Sequence, residues 1–173
     1  KSLVDEFSQF ARMPAPRTVP TSLGTLLTEA LGLYHGLLSD VRIEPRLAEG
    51  LPLARVDPEQ FRRVVINLVD NAVEAITGAK ETGLMPIEEP GLITVETSHD
   101  PANGVLRVSV ADNGPGLPAG DRSKLFMPYY STKGRGSGLG LAIVRRIIAE
   151  HGGSIEAGDN TPRGTRFTIE LPA

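Results

Sequence analysis

The chain has 173 residues, a formal net charge of −3 and no cysteine. This charge gives no electrostatic reason to expect a nucleic acid or an anionic membrane as partner. The lack of cysteine excludes disulfides, thiol nucleophiles and thiolate metal sites. With 40% hydrophobic and 23% charged residues, the composition is typical of a soluble globular chain, one domain or a domain with an appendage. No apolar run approaches the roughly 20 residues of a membrane span and no signal peptide is visible, so we expect a cytoplasmic location.

The first residues predict a short helix followed by a linker. Apolar residues recur at helical spacing over residues 2–11, and the proline-rich stretch after them stops the helix. A helix this short is marginal on its own. We therefore expect residues 1–13 to be the end of a longer helix in a longer parent chain. Residues 14–21 would be an extended linker, and residues 22–173 the folded domain.

The remaining pattern alternates between helical and strand periodicity, with two strands of one hairpin at its centre. It predicts an α+β fold in which a mostly antiparallel sheet is covered on one face by helices. In chain order we predict a helix over 22–38, a strand over 41–44 with 53–56 as its candidate partner, a helix over 57–76, a loop over 77–91, hairpin strands over 93–97 and 105–110, a helix from 138 to Gly152, and strands over 154–157 and 166–171.

The helix over residues 57–76 carries the most informative polar residues. Asp57 can cap its first turn, and the apolar residues that follow recur on one face. Asn67 and Asn71 stand four residues apart on the flank of that face, with Glu74 one turn further on. Amides at the edge of a core are costly unless they are satisfied. Either a neighbouring loop or a bound ligand would satisfy them.

A glycine-containing turn follows the second hairpin strand. Residues 112–116 read Asp-Asn-Gly-Pro-Gly, in which Gly114 and Gly116 tolerate positive φ and let the backbone approach a ligand closely. Asp112 ends a hydrophobic strand, where a partly solvated carboxylate needs a donor, and the exocyclic amine of a purine is a suitable one. The alternative is an Asx-turn within the chain itself.

A second glycine-rich run spans residues 134–140. It is not a Walker A loop, because no Lys-Ser/Thr pair follows the glycines, and it does not match G-x-G-x-x-G. It does place backbone N–H groups at the start of a helix, where orphan donors and the helix dipole together favour phosphate. Lys133 and Arg135 add cationic donors beside it.

Five stretches in the same order resemble the sequence boxes of sensor histidine kinases, and together they span almost everything after Asp57. The opening residues are similar to the end of the dimerisation helix in nitrogen-regulation sensors of the NtrY and NtrB type, the NtrY type being closer. The N, G1, F, G2 and closing glycine boxes correspond to residues 67–72, 112–116, 126–133, 138–141 and 164–165.

The resemblance implies the Bergerat fold, a two-layer α/β sandwich in which a mixed, mostly antiparallel sheet packs on three helices. Nucleotide would bind under a short lid formed by residues 129–138. Residues 22–173 would be the catalytic ATP-binding domain, and residues 1–13 a remnant of the dimerisation helix. The implied enzyme is a protein-histidine kinase that transfers the γ-phosphate of Mg-ATP to a histidine on a dimerisation domain, for relay to the receiver domain of a response regulator. The parent would be a homodimer. For its location, an anchor in the inner membrane is an alternative to a fully cytoplasmic parent.

The resemblance also implies roles for individual residues. Asn71 would ligate Mg²⁺, a hard cation that takes oxygen ligands, and Asn67 would support the phosphate side of the site. Asp112 would accept a hydrogen bond from the adenine amine, while Gly114 and Gly116 let the base lie close. The other implied nucleotide-binding residues are Gly136, Gly138, Leu139 and Gly140 at the phosphates, Lys133 and Arg135 as their cationic donors, and Thr165 near the adenine-binding aspartate.

The sequence departs from the family pattern at two points. Many of these kinases carry a basic residue where this chain has Glu74, so a cationic phosphate contact must come from another residue, with Lys133 and Arg135 as candidates. The phosphoacceptor histidine box is also absent. None of the histidines has the acidic and helical surroundings of a phosphoacceptor, and His151, in the last turn of a helix, has a predicted structural role.

Two other functions remain open at this level. ATPases of the gyrase B, Hsp90 and MutL branch resemble the same helix but carry a glutamate general base where this chain has Asn67. A carboxamide cannot take a proton from water, which disfavours hydrolysis as the main reaction. A nucleotide-sensing module without phosphotransfer is the second alternative.

Overall fold

The helix predicted over residues 2–11 lies almost entirely outside the described residues; after it, the helices and strands follow the predicted order, with one additional short strand near the amino terminus. The structure is a computed structural model that describes residues 8, 11–117, 120, 122, 124–128, 130 and 139–173. In chain order, its elements are β1 (Val19–Thr21), α1 (Leu23–Gly32), β2 (Val41–Arg46), β3 (Ala54–Val56), α2 (Pro58–Glu81), β4 (Gly91–Asp100), β5 (Val105–Asp112), α3 (Gly140–Glu150), β6 (Ser154–Asp159) and β7 (Thr165–Pro172).

Five strands form the main sheet in the order β2-β4-β5-β7-β6. β2 runs parallel to β4, and the other neighbouring strands are antiparallel. Every second residue of β7 is buried and its neighbours are partly exposed, as expected for a sheet with one covered face. The predicted α+β class, with a mostly antiparallel sheet and three helices, is confirmed. None of the helices in the described ranges combines the length and the hydropathy that a bilayer span requires.

The core lies between this sheet and α2, with α1 and α3 packed against α2. Phe61 and Leu68 of α2 are fully buried and belong to the same cluster as Val95 of β4 and Ile147 of α3. Each such side chain contributes roughly 1.5–3 kcal/mol by leaving water. One face of α2 is therefore packed into the core, and this packing sets the direction in which the polar residues on its flank project.

The first turn of α2 forms as the sequence predicts. Asp57 is the N-cap, and its Oδ1 accepts hydrogen bonds from the backbone N–H groups of Glu59 at 3.1 Å and Gln60 at 3.2 Å. Its Oδ2 accepts from the backbone N–H of Arg17 at 2.9 Å. Burial acts to raise the pKa of Asp57, but the three N–H donors outweigh it and hold that pKa below the ordinary value.

This lowered pKa gives a prediction about acid stability. A carboxyl whose folded-state pKa lies below its unfolded value adds stability that is present above the unfolded pKa and is lost as the pH falls through the folded pKa. We expect the melting temperature of the wild type to fall below about pH 5 more steeply than that of Asp57→Asn, because asparagine still caps a helix but does not titrate. Thermal melts from pH 7 to pH 3 measure both slopes. Identical slopes would show that the titration of Asp57 does not contribute to the loss of stability in acid.

His151 connects the end of α3 to the start of α2. Its Nε2 accepts a hydrogen bond from the backbone N–H of Asp57 at 2.9 Å, and its Nδ1 donates to the carbonyl oxygen of Ile147 at 2.7 Å. Both ring nitrogens therefore bind backbone groups, and the neutral tautomer with the proton on Nδ1 satisfies them. The predicted structural role of His151 is confirmed.

Two predicted element boundaries were wrong. The helix expected over 22–38 ends at Gly32, and Leu37, expected on its apolar face, is 74% exposed. Beyond Gly32 the chain turns so that the hydroxyl of Tyr34 donates to Asp70 Oδ1 on α2 at 2.7 Å. The second error concerns α2, which continues into the predicted loop as far as Glu81 because Ala79 in its last turns is buried in the core.

The predicted pairing of the two early strands was also wrong. β3 pairs antiparallel with β1 in a separate two-stranded sheet, whereas β2 pairs with β4. A parallel partner must lie beyond a long crossover, here the one that contains α2, and local alternation carries no information about it. β1 itself lies within the stretch 14–21 interpreted as a linker, so the end of that stretch is attached to the folded domain.

Candidate functional site

Asn67 and Asn71 lie on α2, and Asn67 contacts the amino terminus of α3. The Asn67 side-chain Nδ2 donates to the carbonyl oxygen of Gly140, the first residue of α3, at 3.3 Å. Asn71, one turn further along α2, is half-buried, and Glu74 is exposed. Of the two partners considered for these amides, a neighbouring segment or a bound ligand, the first therefore applies to Asn67, because its side chain donates to a backbone carbonyl group. The contact also aligns the start of α3 with the polar flank of α2.

Asp112 ends β5 on the helix-covered face of the sheet and is only 3% exposed. Its Oδ1 accepts hydrogen bonds from the backbone N–H groups of Gly114 at 2.9 Å and Thr165 at 3.3 Å. The first of these is the Asx-turn that the sequence offered as an alternative. Both hydrogen bonds end on the same carboxylate oxygen, and together they fix the direction of the Asp112 side chain. Thr165, predicted near this aspartate, lies directly beside it.

The glycines of the turn are required by close backbone approach. Gly164 has a φ of +114°, and a Cβ at this position would lie 1.9 Å from the carbonyl oxygen of Asp112. Gly116 has a φ of +83°, a conformation that L side chains rarely adopt. At Gly114 a Cβ would lie 3.0 Å from Asp112 Oδ1. Side chains at these positions would push the turn away from β7 and crowd the carboxylate.

The sequence interpretation missed several residues that hold this turn. Asn113 accepts from the backbone N–H of Leu92 at 2.8 Å and donates to the carbonyl oxygen of Pro90 at 3.0 Å. Asn160 donates to the carbonyl oxygen of Asp112 at 2.8 Å. These partners lie 21 or more residues away along the chain, so local spacing could not reveal them.

The start of α3 is the part of the predicted phosphate site that the structure describes. Leu139 is buried at its N-cap position, and no side chain caps this end within the described ranges. Backbone N–H groups at a helix start attract anions through both hydrogen bonding and the dipole. Lys133, Arg135, Gly136 and Gly138 lie outside the described residues, as does the predicted lid except for Tyr130.

Phe126 anchors the chain before that stretch. Its ring meets Phe167 of β7 edge to face, with 6.1 Å between centroids and an interplanar angle of 80°. The guanidinium of Arg145 on α3 lies 5.8 Å from the centre of the same ring. Such aromatic pairs contribute about 0.5–1.5 kcal/mol beyond area burial. The part of the predicted F box that is described is thus attached to both the sheet and α3.

The glycine turn and the start of α3 both lie against α2: a Cβ at Gly114 would lie 3.5 Å from the Cβ of Ala75, and Asn67 contacts Gly140. Along α2 the described residues thus present an oriented carboxylate, a glycine turn, the carboxamides of Asn67 and Asn71, and the first turn of α3. Within the described residues no group of three or more His, Cys, Asp or Glu side chains could hold a metal ion. Mg²⁺ beside phosphates takes oxygen ligands and keeps several waters, and the amide oxygen of Asn71 is a ligand of that type.

Comparison with known proteins decides the family. The family model described as histidine kinase-, DNA gyrase B- and HSP90-like ATPase matches residues 56–173. The chain belongs to this family. The match begins immediately before α2 and includes the glycine turn, α3 and β7, and hence every element of the site described above.

The curated relatives are sensor histidine kinases, which confirms the resemblance seen in the sequence. The chain is 34% identical to nitrogen regulation protein NtrY of Azorhizobium caulinodans over 98% of this chain and 21% of the relative. It is 35% identical to the sensory histidine kinase/phosphatase NtrB of Rhizobium leguminosarum over 99% of this chain and 46% of the relative. The chain therefore spans only about a fifth to about half of their length.

Solved structures of histidine kinases share the fold. Full-length ShkA in complex with AMPPNP superimposes with a TM-score of 0.81 at 29% identity, over 98% of this chain and 35% of that one. The nucleotide-free catalytic domain of histidine kinase ThkA gives 0.75 at 30% identity, over 90% of this chain and 95% of that one. ThkA in complex with the response regulator protein TrrA gives 0.76 at 27% identity, over 98% of this chain and 46% of that one.

Proposed function

We propose that this chain is the ATP-binding catalytic domain of a sensor histidine kinase of the nitrogen-regulation type. It would bind Mg-ATP and present the γ-phosphate to a histidine on a dimerisation domain of the parent protein. The observation that carries this proposal is the buried Asp112, oriented by two backbone N–H groups beside a glycine turn. A fixed acceptor at that depth suits the exocyclic amine of adenine. The AMPPNP complex of the structurally similar ShkA supports it.

The residues would act by positioning and charge neutralisation, since phosphoryl transfer needs little covalent help from the protein. Asn71 has an amide oxygen, a ligand type that Mg²⁺ accepts, and would hold the cation that offsets phosphate charge. Asn67 would keep the start of α3 in place through Gly140, so that its N–H groups and the backbone of Leu139 face the phosphates. Lys133 and Arg135 would supply the cationic contacts.

The partners of the parent protein follow from the same proposal. Phosphate would pass from the histidine to an aspartate on the receiver domain of a response regulator, and the complex of ThkA with TrrA supports such a partner. Residues 1–13 would continue a dimerisation helix of a homodimeric parent, residues 14–21 would link it, and residues 22–173 would form the catalytic domain. Because ATP is the substrate, we place this domain in the cytoplasm.

The proposal is tested by binding and by transfer. We expect calorimetry to detect the binding of ATP and of ADP in the presence of Mg²⁺. Incubation with radiolabelled ATP should leave no acid-labile phosphate on residues 1–173. Adding a histidine-bearing dimerisation domain of a related kinase should produce labelled histidine on that domain. Rapid release of ADP and inorganic phosphate without transfer would instead favour the ATPase alternative. Nucleotide binding with neither reaction would favour a sensing module.

The role of Asn71 gives a separate prediction. Asn71→Ala removes one oxygen ligand from a cation that demands near-octahedral geometry, so the gain in ATP affinity on adding Mg²⁺ should shrink. Alanine is a better helix former than asparagine, so the melting temperature without ligand should hold or rise. Calorimetry with and without Mg²⁺, beside thermal melts, measures both effects.

Thr77→Ala is the matched control for Asn71→Ala, since Thr77 also lies on α2 and outside the proposed site. It should leave the magnesium effect unchanged. If Asn71→Ala lowers the melting temperature of the free protein and keeps the full magnesium effect, then Asn71 serves only the scaffold.

A further inference from the structure

Arg163 connects the glycine turn to the loop between α2 and β4. Its Nε donates to the carbonyl oxygens of Asn113 and Gly114, both at 3.1 Å. Its Nη2 donates to the carbonyl oxygen of Asn113 at 2.9 Å and to Glu89 Oε2 at 2.7 Å. One guanidinium thus holds two successive carbonyl groups of the turn and is itself held by a carboxylate from another loop.

The contact with Asn113 has a direct effect on Asp112. The carbonyl group of Asn113 and the N–H of Gly114 belong to the same planar peptide unit and point in opposite directions. Arg163 therefore fixes the plane whose N–H donates to Asp112 Oδ1 at 2.9 Å. If that plane rotated, the Asx-turn would open and the carboxylate would lose the Gly114 donor that helps to set its direction.

The planar guanidinium is what makes this arrangement specific. Its N–H groups form a rigid fork that can reach several acceptors at once, whereas lysine presents a single point charge. The Arg163 and Glu89 side chains are 37% and 34% exposed, so their ion pair by itself contributes little to stability. The importance of Arg163 lies in the orientation of the turn rather than in the strength of the salt bridge.

We propose that Arg163 is a positioning residue for adenine recognition: it acts through the 113–114 peptide unit to aim the Asp112 carboxylate at the exocyclic amine of the base. This inference rests on the proposed function, because it assumes that Asp112 receives that amine. The loss of Arg163 should then weaken the discrimination between purines more than it weakens nucleotide binding in general.

The test compares ATP with inosine triphosphate, which has a carbonyl oxygen where ATP has the amine. The wild type should prefer ATP, since ATP carries an exocyclic N–H donor where inosine triphosphate carries a carbonyl oxygen that would face the Asp112 carboxylate. Arg163→Ala should lower the affinity for ATP by about tenfold, the size of one charge-assisted hydrogen bond, and should change the affinity for inosine triphosphate much less. Arg163→Lys should behave like the alanine variant, because it keeps the charge and loses the fork. Calorimetry with both nucleotides gives the ratio of the affinity for ATP to the affinity for inosine triphosphate.

Arg107→Ala is the matched control. Arg107 is also 37% exposed and pairs with Glu170 at 2.6 Å, on strands whose outer face lies away from the turn. This variant should keep the wild-type ratio. If Arg163→Ala does not fold, Glu89→Gln removes the charge that holds the guanidinium and should shift the ratio in the same direction by a smaller factor.

Equal losses for ATP and inosine triphosphate in Arg163→Ala would show a merely structural role and overturn the inference. In that case the proposed function would still stand, provided that the wild type binds ATP and prefers it to inosine triphosphate. A wild type that binds neither nucleotide would refute the proposed function and the inference with it.

Discussion

Replacing Asp112 by asparagine should lower the affinity for ATP about ten- to a hundredfold. Asparagine keeps the size of the side chain, and its amide oxygen can still accept from the backbone N–H groups of Gly114 and Thr165, which bind Asp112 Oδ1 in the wild type. The second carboxylate oxygen becomes an amide NH₂, so that an N–H donor would face the N–H donor of the adenine amine. A lost charged hydrogen bond costs about 1.5–3 kcal/mol, and that range gives the expected change in affinity.

The measurement is isothermal calorimetry with ATP, together with a thermal melt of the free protein. The backbone contacts of the turn survive in this variant, so its melting temperature should stay close to that of the wild type. Asp100→Asn is the control. It makes the same chemical change on β4, at the opposite end of the β4–β5 hairpin from Asp112, and should not change the affinity for ATP. An unchanged affinity for ATP in Asp112→Asn would show that the adenine amine binds elsewhere.

The largest loss of stability should come from Gly164→Ala. A Cβ at Gly164 would lie 1.9 Å from the carbonyl oxygen of Asp112 and 3.0 Å from the Cα of Asn113, and the residue has a φ of +114°. Both nearest groups are backbone, so neither can move without opening the turn. Left-handed strain and overpacking each cost about 1–3 kcal/mol. We expect the free energy of unfolding to fall by about 3 kcal/mol or more.

Urea unfolding of the free protein measures this loss, and Gly104→Ala separates its two causes. Gly104 also has a positive φ, +63°, but no atom lies within 4 Å of the Cβ position. It should therefore show only the conformational cost, about 1 kcal/mol. If the two variants lose the same amount, then β7 can move away from the turn and the close approach at Gly164 is not a rigid feature.

Local chemistry was enough to predict the elements that depend on neighbours in the chain. Asp57 was predicted as a cap because a carboxylate followed by proline suits a helix start, and it caps α2. The hairpin of β4 and β5 was predicted from alternation and a glycine-containing turn, and its strands pair antiparallel. The positions of Asn67 and Asn71 on one flank of α2 likewise follow from helical spacing.

Packing decided where several elements end. The apolar pattern continued past Gly32, yet α1 stops there and Leu37 is 74% exposed. The polar character of residues 77–81 indicated a loop, yet α2 continues to Glu81 because Ala79 is buried. In both cases the decisive contact is with a distant element, and helix propensity is too weak to resist it.

For the site itself, the sequence alone determined which chemistry is available, and the tertiary structure decided how it is held. The acceptor Asp112, the glycines beside it and the amides of α2 can be recognised from residue type and spacing, because a few neighbouring residues set the conformation of a turn or a helix flank. Arg163 and Glu89 are 74 residues apart and Asn160 and Asp112 are 48 apart, and the pairing of β7 with β5 brings the segments that carry them together. Pairing between strands depends on contacts across the whole chain, and no local pattern records which side chains it will bring together.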